Sequence, residues 1–319
     1  MSGLTDIAGI RVGHASDYEA LTGCTVILCD GGAVAGADIR GSASGTEEFP
    51  TMEPGHVTTH VHAVVLAGGS AFGLEAASGV RRYLEQKGVG FETGAARVPI
   101  VPCAILYDLG IGKPNVRPTR EMGEAAAAAA TAGPVREGAI GAGTGATVGK
   151  LFGIRQAMKS GLGSATVSLE GPQAGVRVAA LAVVNAFGDV IDPRTGQIVA
   201  GARRSPESRE FADTARAMKR GRRGGFGSAN TTLVVVATNA ALSKVQARKL
   251  AALAQLGVGR TICPVNTMND GDAVIALSLG REMADLDALG VAAAEAVSEA
   301  ILRAVRLAPS LGGLPGLGG

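Results

Sequence analysis

The stretch Asn230-Thr231-Thr232-Leu233-Val234-Val235-Val236-Ala237-Thr238-Asn239 decides how this chain is read. A polar, glycine-rich segment stops at Asn230, and a β-branched apolar run starts at once, with a hydroxyl residue at the junction. Successive Val and Thr favour a pleated strand, and a run that is apolar at consecutive positions is buried on both faces. Upstream, residues 203–230 read as an exposed loop. Its cluster Arg216, Lys219, Arg220, Arg222 and Arg223 has no interleaved aromatics, so it reads as a solvated or processing loop and gives no sign of a nucleic-acid partner.

The junction has a chemical reading. A hydroxyl that ends a loop and opens a buried strand can attack the carbonyl before it, forming an ester that water then opens. The freed α-amine, with an ordinary pKa near 8, sits beside the hydroxyl and can serve as its general base. Cleavage between Asn230 and Thr231 would leave chains 1–230 and 231–319. The plainer reading is that Thr231 merely begins a strand.

Outward from this point, apolar runs at Thr25–Cys29, Ala63–Ala67, Ala139–Gly141, Ala165–Leu169, Val176–Asn185 and Ala273–Leu279 read as further strands. Helical spacing appears over Ala71–Lys87, Glu121–Ala132, Ser243–Leu256 and Leu286–Leu307, with Ser243 as an N-cap. Adjacent strand pairs mixed with helices point to an α/β sandwich. The chain has 319 residues, enough for one large domain, and 48 of them are glycine against 3% aromatics and no Trp. Such a composition packs helices and sheets closely. A formal net charge of +2 names no partner. The tail 312–319 reads as disordered. Cys24, Cys29, Cys103 and Cys263 form no CxxC pair and read as reduced, mostly buried thiols. Met1–Gly13 lacks the features of a signal peptide and no apolar run is long enough to span a bilayer, so a soluble, cytoplasmic protein is expected.

Several motifs fail on inspection. Gly141–Ala146 matches a dinucleotide pattern, but no acidic residue follows at the spacing that ribose binding needs. The run ending Gly149-Lys150 lacks the phosphate-loop spacing, and Leu151 stands where a hydroxyl should meet magnesium. Gly68-Gly69-Ser70-Ala71-Phe72 resembles a nucleophile elbow without its last glycine, so Ser70 is read as a helix cap. His56, His60 and His62 have no acidic partner at a metal spacing and read as surface or hydrogen-bonding residues. No metal or cofactor is called for.

Four further landmarks carry a resemblance: Gly3–His14 (GLTDIAGIRVGH), Gly68–Leu74 (GGSAFGL), Lys159–Gly163 (KSGLG) and Asn230-Thr231-Thr232. With them the chain resembles the family of L-aminopeptidase/D-esterases, β-peptidyl aminopeptidases and nylon-oligomer hydrolases, from residue 3 to about 280. The Asn-Thr junction and the acid pair in Asn269-Asp270-Gly271-Asp272 look like the nylon-oligomer branch, where the aminopeptidase branch has Gly-Ser. The resemblance implies a four-layer α/β/β/α sandwich, self-cleavage, and a homo-oligomer, a tetramer of processed heterodimers. It implies a small amide or short-peptide substrate and no membrane partner. It makes Thr231 the nucleophile, Lys159 a proton-transfer or charge-stabilising residue, and Asn185 an oxyanion donor. Asp270 and Asp272 would orient the threonine amine and hydroxyl, and Tyr107 takes the place of an active-site tyrosine. Each has a plainer alternative: Asn185 ends a strand, Lys159 caps a helix and Asp270-Gly271-Asp272 makes a turn. No residue stands out as the acidic group that receives a substrate amine in the aminopeptidases.

Overall fold

A computed structural model describes residues 3–222 and 230–319. Among these, nine strands form the main sheet: β1 (Ile10–Asp17), β2 (Thr22–Ile39), β3 (Gly45–Glu47), β4 (Val61–Ala67), β5 (Cys103–Ile105), β6 (Leu162–Ser168), β7 (Arg177–Asn185), β8 (Thr231–Ala240) and β9 (Ala273–Glu282). The order is β6-β7-β8-β9-β2-β4-β5-β3, with β1 beside β2. Five α-helices accompany them: α1 (Glu75–Gln86), α2 (Arg120–Ala128), α3 (Thr214–Lys219), α4 (Lys244–Thr261) and α5 (Leu286–Arg306).

The sheet works as two layers because β2, at 18 residues, serves both. Its first half pairs with β1 and β4, and its second half pairs with β9. The register shifts between Leu28 and Ala33, where Gly31 and Gly32 adopt φ of +78° and +84°. Glycine reaches that region without strain, so the strand can turn from one layer into the next.

Alternation then sorts side chains into three cores. On β8, Val234 and Val236 face α4 and α5, while Leu233, Val235 and Ala237 face the opposite sheet. On β4, Val64 and Leu66 join that central core, and Ala63, Val65 and Ala67 face α1 and α2. Helix, sheet, sheet and helix therefore stack in four layers, as the resemblance implies. Close approach explains the small residues. A Cβ on Gly36 of β2 would lie 2.2 Å from the Arg248 backbone nitrogen of α4. Burial of each β8 valine contributes roughly 2 kcal/mol, enough to fix the register of this central strand.

The sequence expectations hold for six strand positions, and Ser243 does cap α4, its Oγ accepting from Gln246 N. Four corrections follow. Ala139–Gly141 is not a strand; Gly141–Gly143 forms a 3-10 turn, which the glycines permit. Ser70 caps no helix: it sits inside a 3-10 turn whose N-cap is Gly69, and α1 starts only after Leu74. Residues 203–222 are not simply an exposed loop. Arg203, Thr214 and Ala217 are buried, and α3 lies within the segment. The buried Asp189 carboxylate accepts from Ala202 N, Thr214 N and Thr214 Oγ1 and pins the segment down. Residues 223–229, including Arg223 of the basic cluster, lie outside the described residues. The tail 312–319 is not disordered as expected but lies against the body, because Leu314 packs beside Leu21 and Ile111 and the Pro315 carbonyl accepts from Lys159 N. His56, His60 and His62 each make a hydrogen bond, to Thr58, Thr59 and the Ile100 amide.

Candidate active site

Thr231 opens β8, and β8 lies between β7 and β9, antiparallel to the first and parallel to the second. This topology gathers the site. The β7 register puts Asn185 opposite Thr231, and an isolated bridge pairs Asn230 with Asp270 just ahead of β9. Thr231, Asn185, Asp270 and Asp272 are all at most 2% exposed.

The Thr231 hydroxyl donates to the carbonyl oxygen of Asn230 at 2.5 Å. Asn185 has a fully specified amide. Its Oδ1 accepts from Lys150 Nζ at 2.7 Å, Thr147 N at 3.0 Å and Thr147 Oγ1 at 3.3 Å, and its Nδ2 donates to the Tyr107 carbonyl at 2.9 Å. Lys150 Nζ also donates to the Asn185 carbonyl at 2.9 Å. With the oxygen held on one side, the amide can point only its N–H groups the other way.

The acid pair is anchored to backbone. Asp272 accepts from Thr232 N at 2.6 Å and Asn266 N at 3.0 Å. Asp270 accepts from Thr267 N at 2.9 Å, Thr267 Oγ1 at 2.6 Å and Phe187 N at 3.4 Å. Both carboxylates thus shape the loop beside Thr231 and tie it to the start of β8. Burial, then the neighbouring Asp270 charge, pushes Asp272 up to about 7. Burial pulls Lys150 down to about 7, against the attraction of Asp270, Asp108 and Asp272. A lysine and a carboxyl both poised near neutrality, in one buried cluster, are suited to move or hold a proton at physiological pH.

The remaining residues singled out in the sequence fall as follows. Tyr107 joins through its carbonyl, under Asn185. Lys159 is fully buried, and its ammonium donates to the carbonyls of Gly143, Ala146 and Ser160. Burial brings it down to about 7 as well, and Asp108 is its electrostatic partner. The lysine beside Asn185 is Lys150, which the sequence reading met only as a failed phosphate-loop residue. A signal was there: between Glu137 and Arg155 it is the sole charged residue, in an otherwise apolar and glycine-rich run. Asp108 was also missed. Its buried carboxyl accepts from Gly69 N at 2.7 Å and Thr22 Oγ1 at 2.8 Å, and it links the Gly68-Gly69 turn to β2. Among the described residues no group of three or more His, Cys, Asp or Glu is placed to hold a metal.

A layered sandwich with an uncharged hydroxyl, an oriented amide and a proton-tuned lysine at one strand end is the equipment of an amide-bond hydrolase. Comparison with known proteins agrees: the chain belongs to Peptidase family S58, whose profile matches residues 2–317. It is 40% identical to an uncharacterized aminopeptidase of Mycobacterium tuberculosis strain H37Rv, over 99% of this chain and 96% of the relative. It is 32% identical to the 6-aminohexanoate-oligomer endohydrolase of Kocuria sp. strain KY2, over 94% of this chain and 85% of the relative. In fold it is similar to the L-aminopeptidase D-Ala-esterase/amidase of Ochrobactrum anthropi, described as a variant of the Ntn-hydrolase fold. That match has a TM-score of 0.74 and 22% identity, covering 98% of this chain and 88% of the other. A Burkholderia sp. β-aminopeptidase aligns with a TM-score of 0.72 at 22% identity, covering 99% and 91%. The chain is a hydrolase acting on amide bonds. No helix among the described residues is long and apolar enough to cross a membrane.

Proposed function

We propose that this hydrolase cuts its own chain between Asn230 and Thr231 and then turns over short linear amides with the freed Thr231. The observation that carries the reading is the contact of the Thr231 hydroxyl with the carbonyl of Asn230, at the mouth of a central strand. Thr231 is only 2% exposed in the continuous chain, so a substrate reaches it only after the bond before it has opened. The new amine then takes the proton from its own hydroxyl, Asn185 gives an amide N–H to the substrate oxyanion, and Lys150 holds that amide in place. Asp270 and Asp272 hold the strand end and offset the charge of the new ammonium. Lys159 acts at one remove, bracing the 143–146 turn below Thr147.

The 6-aminohexanoate-oligomer endohydrolase relatives and the Asn-Thr junction favour linear ω-amino acid amides as substrates. The mycobacterial relatives, named aminopeptidases, favour a second reading: removal of N-terminal residues from small peptides or β-peptides, or a D-esterase activity. The working form is a homo-oligomer of processed heterodimers in the cytoplasm. Intact-mass measurement of purified protein tests the central claim. Two chains, the smaller beginning Thr-Thr-Leu, are expected; an active preparation that holds only full-length chain would overturn it.

A further inference from the structure

The Asn230 carbonyl oxygen accepts a second hydrogen bond, from the backbone N–H of Gly271 at 2.7 Å. Gly271 and Asn185 flank Thr231 from opposite neighbours, one leading into β9 and the other ending β7. The loop that carries Gly271 is rigidly held. Asn230 N donates to the Asn269 carbonyl at 3.0 Å, Ala43 N to the Asp270 carbonyl at 2.8 Å, and Thr267 N to the Asp270 carboxylate at 2.9 Å. The absence of a side chain at 271 is also used. A Cβ there would stand 2.8 Å from Thr231 Oγ1 and 2.8 Å from the Ala43 carbonyl. Only glycine gives both the donor and the room for the hydroxyl.

We propose that the Gly271 N–H is the oxyanion donor of the self-cutting step, distinct from Asn185, which serves substrate turnover. This rests on the reading that the chain cuts itself before Thr231. Thr231 Oγ1 bonds to the Asn230 carbonyl carbon and the carbonyl electron pair moves onto the oxygen already facing Gly271 N. The C–N bond then breaks, and the proton that left the hydroxyl ends on the Thr231 nitrogen. Water opens the resulting ester, giving its OH to the Asn230 acyl carbon and a proton back to Oγ1. A donor fixed before the reaction stabilises the charge as it forms and needs no reorganisation.

The test replaces Gly271 by glycolic acid through nonsense suppression in cell-free translation, which exchanges the N–H for an ester oxygen of similar size. Self-cleavage, followed by intact mass, is expected to slow about 10²–10³-fold. Thermal unfolding of the same ester chain carrying Thr231→Ala should show a cooperative transition. Once cleavage has gone to completion, the mature ester enzyme should keep kcat within a few-fold of wild type. Hydrolysis at the introduced ester is distinguished by its different fragment masses. Cleavage of the ester chain at the wild-type rate would refute the donor role, and an equal loss in cutting and kcat would refute the separation from Asn185. A wild-type chain that never cuts would instead defeat the reading beneath it. Should the ester chain not fold, Gly271→Ala serves. It retains the N–H but crowds the hydroxyl, so cutting should slow and recover in part when Thr231→Ser frees the side chain to rotate. Wild-type cutting in Gly271→Ala would show only that the hydroxyl is not crowded, so the donor is then read directly in the uncut Thr231→Ala chain: an NMR coupling across the hydrogen bond between the Gly271 nitrogen and the Asn230 carbonyl carbon is expected, and its absence would refute the donor role.

Discussion

Lys150 holds Asn185 from two directions, with its ammonium 2.7 Å from the side-chain oxygen and 2.9 Å from the main-chain carbonyl. One buried cation thereby fixes both the end of β7 and the orientation of an amide opposite Thr231. Lys150→Met should therefore lower kcat by about 10²-fold, since the amide loses the charge-assisted bond that aims it. Lys150→Arg should restore part of the rate if the charge can reach the same oxygen. Steady-state kinetics and melting curves on the same preparations check this. Loss of melting temperature with full kcat would reduce Lys150 to a packing role.

Thr231→Ala should give a folded, full-length and inactive protein, because in the proposed mechanism the same hydroxyl serves the cut and the turnover. Thr231→Ser should cut and keep some activity. Amide hydrolysis by the Thr231→Ala chain would remove Thr231 as the nucleophile.

Much of the fold was legible because the strands with both faces buried, such as Leu233–Ala237 and Val176–Asn185, announce themselves as apolar runs. The division into two sheet layers came only with the resemblance, since the residues alone do not reveal the bend at Gly31-Gly32 inside one long strand. Thr231 was singled out by the chemistry of its loop-to-strand junction, Asn185 and the acid pair through a resemblance, and the topology brings them together. Lys150 and Gly271 were missed for different reasons. A buried lysine looks like any lysine until its surroundings are known, and a backbone N–H leaves no trace in a residue name. Residues 203–222 misled because a polar composition does not reveal that one buried carboxylate, Asp189, gathers two donors from Thr214 and a third from the adjoining Ala202.

Asp189→Ala should destabilise the chain by about 3 kcal/mol, as the Ala202 and Thr214 groups lose their shared acceptor in a site that is 1% exposed. Asp189→Asn should cost less, because one amide oxygen still accepts. Urea midpoints read the difference. Equal, small losses in both variants would show that the segment is held by something else.

The stability of the uncut chain should vary with pH in a way that the buried cluster sets. Lys150 and Lys159 lose their protons near pH 7 when folded but keep them to about 10.5 when unfolded. Between those values the unfolded chain binds more protons, so stability rises with pH. Asp272 acts below this window: folded, it keeps its proton to about 7, whereas unfolded it loses it near 3.8, so stability falls as pH climbs between them. A minimum near pH 7 results. In Thr231→Ala protein, added Lys150→Met should flatten the rise above pH 7 in part, since Lys159 remains. Melting temperatures at pH 7 and 9 test it, and identical slopes in the two proteins would defeat the assignment.

Asn185 should matter to turnover far more than to folding or to self-cutting. Its Oδ1 is occupied by Lys150 and Thr147, and one N–H goes to the Tyr107 carbonyl, which leaves the second N–H as the group that would meet a substrate oxyanion in the proposed mechanism. Asn185→Ala should lower kcat by about 10²–10³-fold with little change in KM, because this contact strengthens chiefly in the transition state. Asn185→Asp should be at least as harmful to turnover, since a carboxylate repels the developing charge, although it would pair with Lys150 and keep the fold. Self-cutting draws on Gly271 in the reading above, so Asn185→Ala should still process to two chains. If Asn185 served only to end β7, both substitutions would lower the melting temperature and leave the kcat of the surviving enzyme near normal. Measuring kcat, processing and thermal unfolding on one preparation separates these outcomes, and a destabilised variant with full kcat would take Asn185 out of the catalytic apparatus.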